Sequence, residues 1–104
     1  MSACTTSPMA EAGCEMVIES ASLLKAMANE NRLRILCLLR KGEMSVTELN
    51  TQLDLSQSAL SQHLAVLRRE ELVNTRRASQ TIYYSLRGEQ AVAVIDTLVG
   101  LRRS

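Results

Sequence analysis

The chain has 104 residues, 46% of them hydrophobic, with no Phe or Trp and two Tyr, so it should form one domain with a core of Leu, Val, Ile, Ala and Met, a mixture that points to packed helices. The formal net charge of +1 does not by itself argue for nucleic acid, but residues 1–56 carry five Lys/Arg against seven Asp/Glu, and residues 57–104 seven Arg against four acids. No stretch approaches the roughly 18 apolar residues of a membrane span, no signal peptide is expected from the N-terminal residues, and one His without a phosphate loop or paired acids leaves nothing to run a reaction, so neither a membrane nor an enzymatic role is expected.

A cytoplasmic protein without a membrane partner is therefore expected, with its three Cys as reduced thiols rather than structural disulfides. Residues 1–14 are small and polar, punctuated by Pro8 and Gly13, and predict a flexible tail before a domain spanning 15–104. From Glu15 to Ala28 the pattern is helical, with Val17, Ala21, Leu24 and Ala28 on one stripe and Met16, Leu23 and Met27 on another. Asn29 is placed to cap a second, central helix, whose apolar run Ile35 to Leu39 contains Cys37; Lys41-Gly42 ends it. Ser45 followed by Glu48 forms a capping box for a short third helix reaching Leu53, with Val46, Leu49 and Leu53 inward.

After the turn Asp54-Leu55, Ser56 caps a fourth helix in which Leu60, Leu64 and Leu67 share one side, while Ser58, Ser61, Gln62, Ala65 and Arg69 lie opposite. Gln and Ser donate and accept hydrogen bonds, as base edges in a major groove require, and Ala65 keeps no backbone away. Two short helices joined by a tight turn, the second with a polar outer face, make a helix-turn-helix. Beyond Glu71 the period becomes two: strands around Leu72–Arg77 and Ile82–Leu86, joined through Ala78-Ser79-Gln80, form a β-hairpin wing. A last helix, Gly88 to Leu101, turns Ala91, Val94, Ile95 and Leu98 inward and carries a second apolar side, Val92 and Val99. The fold expected is mainly α with a β-hairpin wing, a winged helix-turn-helix of five helices and two strands. The surplus apolar faces predict a homodimer through the first and last helices. The implied partner is double-stranded DNA with an inverted-repeat operator, met by Ser56, Gln57, Ser58, Ser61 and Gln62 in the first turns of the fourth helix, Arg69 at its end, and Arg76, Arg77 and Gln80 on the wing. His63, at the edge of the two faces, is either a DNA-backbone contact or a packed structural side chain.

The strings LLKAMANENRLRILCLL, LSQSALSQHLAVLRRE and LVNTRRASQTIYYSL resemble the ArsR/SmtB family of dimeric winged-helix repressors over roughly residues 15 to 101. Many relatives sense metals, but the family's third-helix motif E-L-C-V-C-D-L is here Glu43-Met44-Ser45-Val46-Thr47-Glu48-Leu49, with hydroxyls in place of both thiolates, and the terminal-helix zinc site finds Asp96 and no His. Neither a metal nor another cofactor is expected. The branch most resembled, the haemolysin activator and the biofilm and sulfide-responsive repressors, carries a Cys at the place of Cys37 and implies thiol sensing of reactive sulfur or oxidants. The second Cys of that branch is missing from the end of the last helix, so Cys14, or Cys4, is the implied partner of Cys37. Read from its apolar neighbours alone, Cys37 is a small buried hydrophobe with an inert thiol. Three functions stay open: a thiol-switched repressor, a constitutive regulator such as the nodulation-type relatives, and a metalloid sensor using the N-terminal Cys. A winged helix used only for protein contacts would need an apolar outer face on the fourth helix, where Ser, Gln and Arg stand instead.

Overall fold

The computed structural model describes the backbone of residues 8–103 and the side chains of residues 15–103. The elements follow in the order α1 (Pro8–Met27), α2 (Glu30–Arg40), β1 (Met44–Ser45), α3 (Val46–Leu53), α4 (Gln57–Arg69), β2 (Val73–Ala78), β3 (Thr81–Leu86) and α5 (Gln90–Arg103). Residues 8–14, expected in the tail, are instead the first turns of α1. Pro8 opens that helix, where its missing N–H costs nothing and its fixed φ suits a helical start. The rest of the expected tail, with Cys4, and the side chain of Cys14 lie outside the described residues.

Helix α2 begins where Asn29 predicts, its side chain accepting from the N–H groups of Asn31 and Arg32 at 2.9 and 3.1 Å. Ile35, Leu36 and Leu39 are buried in the core. Cys37 is exposed, which overturns the buried reading: at 100° per residue it lies roughly 200° around the helix from Ile35, so an apolar run longer than half a turn cannot all face inward. The box that opens α3 is complete, with the Ser45 N–H donating to Glu48 Oε1 at 2.8 Å and the Glu48 N–H to Ser45 Oγ at 3.1 Å.

Two strands were expected and three are present, in the order β1-β3-β2. The extra one pairs Met44 with Tyr84 and Ser45 with Tyr83; two residues are too short to display a period in sequence. In the wing, Val73 to Ala78 pair with Leu86 to Thr81, leaving a two-residue turn at Ser79-Gln80, so Ala78 ends a strand rather than opening the connection. Ser79, at φ 58°, takes the left-handed conformation such a tight hairpin turn demands. The sheet rests on the same core as the helices through Val73 and Tyr84, with Leu60, Leu67 and Leu72 fully buried beside them. On α5, Ala91 and Ile95 are buried as expected, but Leu98, expected inward, is 43% exposed. An ion pair from Arg40 to Asp96 ties α5 to α2.

Candidate nucleic-acid interface

The interface is built from α3, α4 and the wing. Asp54, left-handed at φ 56°, ends α3, its N–H donating to the carbonyl of Asn50. Two residues later Ser56 Oγ accepts from the Ala59 N–H at 3.1 Å and starts α4. Leu60, Leu64 and Leu67 then anchor α4 in the core, and that anchoring fixes which side chains face out: Gln57, Ser58, Ser61, Gln62, Ala65, Arg68 and Arg69 are all exposed. On a helical projection Ser58, Gln62 and Arg69 stand opposite the core, while Gln57, Ser61 and Arg68 form a stripe on the side of the wing.

That stripe lines a cleft closed on its other side by Gln80, Thr81, Ile82 and Tyr84 of the wing, with Val46 and Thr47 of α3 at its end. Of the residues named from sequence, Gln57, Ser61 and Gln80 meet in this cleft, and Ser58 and Gln62 stand on the open face beside it. Ser56 spends its hydroxyl on the cap. Arg68 was missed, although it follows Gln57 and Ser61 on one helical stripe. Arg69 instead lines hollows between α4 and α1, with Ser22 and Glu70.

The neighbouring wing arginines differ sharply. Arg76 donates from Nε and Nη2 to both carboxylate oxygens of Glu43, at 2.9 and 2.6 Å, and lies 4.7 Å from the centroid of the Tyr83 ring. The hydrogen bond from Arg76 holds Glu43 below its usual pKa against desolvation, with the Arg76 charge adding to the lowering, and the same pair raises Arg76. Strand register places Arg76 with Tyr83 on one face of the hairpin and Arg77 with Ile82 on the other. Arg77 is thus on the cleft face, exposed, and makes no ion pair among the described residues. Arg76 thus ties the wing to Glu43, the residue before β1, whereas Arg77 carries its charge on the other face of the hairpin.

His63 is half-buried on the α1 side of α4, its Nδ1 3.4 Å from Arg32 Nη1. Burial and then the Arg32 charge lower its pKa. Among the described residues no group of three or more His, Cys, Asp or Glu gathers to hold a metal ion. Ser45, at the family's thiolate position, is buried and bonded in its capping box. No helix among the described residues is long and apolar enough to cross a membrane. The large hydrophobics left exposed are Met16, Val17, Ile18 and Leu24 on α1 and Leu98, Val99 and Leu101 on α5, at 40% or more each. None lies on α4.

Residues 29–75 match the profile of the family described as bacterial regulatory protein, arsR family. The transcriptional activator HlyU of Vibrio cholerae is 60% identical over 76 residues, 73% of this chain and 70% of that protein. Its solved structure superposes with a TM-score of 0.78 at 53% identity, covering 85% of this chain and 96% of that one. A biofilm growth-associated repressor of Agrobacterium fabrum is 43% identical over 83 residues, 80% of this chain and 71% of the relative. A possible ArsR-family regulator of Mycobacterium bovis, whose winged helix-turn-helix DNA-binding domain is homodimeric in solution, gives a TM-score of 0.78 at 28% identity, covering 88% of this chain and 84% of that one.

Proposed function

Because the chain belongs to the arsR family of bacterial regulatory proteins, a family of transcriptional regulators and not of enzymes, we propose that it acts in the cytoplasm as a homodimer on an inverted-repeat operator. The observation that carries this reading is the cleft between α4 and the wing: hydrogen-bonding Gln57 and Ser61, the cation of Arg68, and Arg77 on the opposing hairpin face. Base edges are read by the Gln and Ser side chains, and phosphates are held by the arginines. One recognition helix spans only a few base pairs, so a two-fold partner is needed to read a full site. The exposed apolar side chains of α1 and α5 supply its interface.

The switch we assign to thiol modification at Cys37. Its exposure supports this, since reagents reach the sulfur from the surface groove it lines with Leu33, Leu38 and Leu53. Peroxide would take two electrons from the thiolate to give a sulfenic acid, which a second thiol attacks with loss of water to form the disulfide. Cys14 is the proposed second thiol. Cys14 lies within α1, so a bond from Cys37 would lock α2 to α1, and through the dimer interface proposed for α1 it would change the spacing of the two recognition helices.

The test is a mobility shift of the reduced protein on its own upstream DNA, repeated after peroxide, persulfide or arsenite, with Cys37→Ser, Cys14→Ser and Cys4→Ser variants. Release by peroxide or persulfide that Cys37→Ser abolishes is the expected result. Release that survives Cys37→Ser overturns the assignment. Release by arsenite alone, lost in Cys14→Ser or Cys4→Ser, would make the protein a metalloid sensor, and no release at all a constitutive regulator.

A further inference from the structure

The break between α1 and α2 leaves the last carbonyls of α1 without helical donors. Two are answered by the chain itself: Ala28 N–H donates to Leu24 at 2.8 Å and Asn29 N–H to Met27 at 2.8 Å. The remaining two are met by one side chain from α2. Arg32 donates from Nε to the Ala26 carbonyl at 2.5 Å and from Nη2 to the Lys25 carbonyl at 3.2 Å. A cation at this end of α1 also suits the helix dipole. The third reach of the same guanidinium, Nη1, goes to His63 Nδ1 on α4 at 3.4 Å. A guanidinium has donors only, so a hydrogen bond across this contact has Nδ1 accepting, which calls for a neutral imidazole with its proton on Nε2.

We propose that Arg32 is a positioning residue that sets the recognition helix against the end of α1 through His63. This rests on the reading of α4 as the DNA-reading helix and of α1 as part of the dimer interface. The planar fork spans three acceptors on two helices at once, so α1 cannot shift relative to α4 without parting one of them. The orientation of α4 and the packing of α1 are thereby one variable. The charged groups around the contact are Lys25 from α1 and Arg69 and Glu70 from the end of α4, which share the hollow beside Arg32. A proton on His63 would face the Arg32 cation across this contact, with Glu70 the one carboxylate in the hollow.

The chain contains one histidine, so its imidazole nitrogens can be followed by NMR without ambiguity. In the wild type the ring should titrate below 6.5, the ordinary value, and in Arg32→Gln the midpoint should rise. On operator DNA, Arg32→Gln and His63→Leu should each weaken binding about three- to tenfold, the scale of one hydrogen bond, and the double variant should be no weaker than the worse single one. His63→Asn, which offers an oxygen near the place of Nδ1, should recover about threefold over His63→Leu. Additive losses in the double variant, or equal losses for His63→Asn and His63→Leu, would overturn the proposal. The two His63 variants decide the matter if Arg32→Gln does not fold. Should the wild type bind no DNA, the proposed function fails, and the titration still decides the contact: a midpoint unmoved by Arg32→Gln overturns it.

Discussion

Arg76 and Arg77 are adjacent on β2 and equal in charge, yet their replacement should have different consequences. Arg77 stands on the cleft face without an ion pair among the described residues, whereas Arg76 already has both Glu43 oxygens and the Tyr83 ring. Arg77→Ala would remove one phosphate anchor from each protomer, hence two from a dimer. At about 0.9 in the slope of log K against log[salt] for each phosphate neutralised, the slope should flatten by about 1.8, so that a fourfold rise in salt weakens the wild type about tenfold more than the variant. Arg76→Ala removes a cation that its own carboxylate matches and should leave the slope near that of the wild type. Fluorescence anisotropy with labelled operator and random duplexes across a salt series measures both. Flattening by Arg76→Ala equal to that by Arg77→Ala would mean that Arg76 exchanges Glu43 for phosphate on binding, and the separation of their roles would be wrong.

With Gln62 reading base edges as proposed, Gln62→Ala should cost about 1–3 kcal/mol on the operator and little on random DNA, a difference visible in paired titrations. Leu98→Glu places a charge in the apolar surface of α5 and should yield monomers at micromolar concentration by sedimentation, with DNA binding lost alongside. Folding stability should depend on pH through His63, whose folded pKa is lowered by burial and by Arg32. Its contribution is fully present above 6.5 and is lost as pH falls through the lowered folded value, because the unfolded chain takes up the proton first. Denaturant unfolding at pH 7.5 and 5.5 should therefore show lower stability at 5.5, with a smaller difference in His63→Asn; equal differences would contradict the assignment.

Local signals were legible in the sequence. Asn29, Ser45 with Glu48, and Ser56 each announce a helix start that the structure places within a residue, because a cap is a contact between chain neighbours. Leu60, Leu64 and Leu67 fix the inward side of α4 and hence the polar face opposite. What sequence could not show depends on residues far apart in the chain. Arg76 looks like a phosphate contact until the sheet brings Glu43, 33 positions away, against it. Arg32 looks like any surface arginine until the packing of α2 on α1 and α4 brings His63 within reach, 31 positions on. Cys37 misleads for a different reason: its neighbours Leu36 and Leu38 are apolar, but the helix turns it outward while Ile35, Leu36 and Leu39 fill the core. Arg68 and Arg69 show how one residue, about 100° of helix, decides between the wing cleft and the hollow against α1.

The central claim is that two copies of α4 and its wing read one operator together, and hydroxyl-radical footprinting of the reduced protein on its upstream inverted repeat tests it most directly. Two protected blocks should appear with centres about 34–36 Å apart, one turn of duplex, from one dimer per site. A single protected block, or equal protection of random DNA, would contradict it.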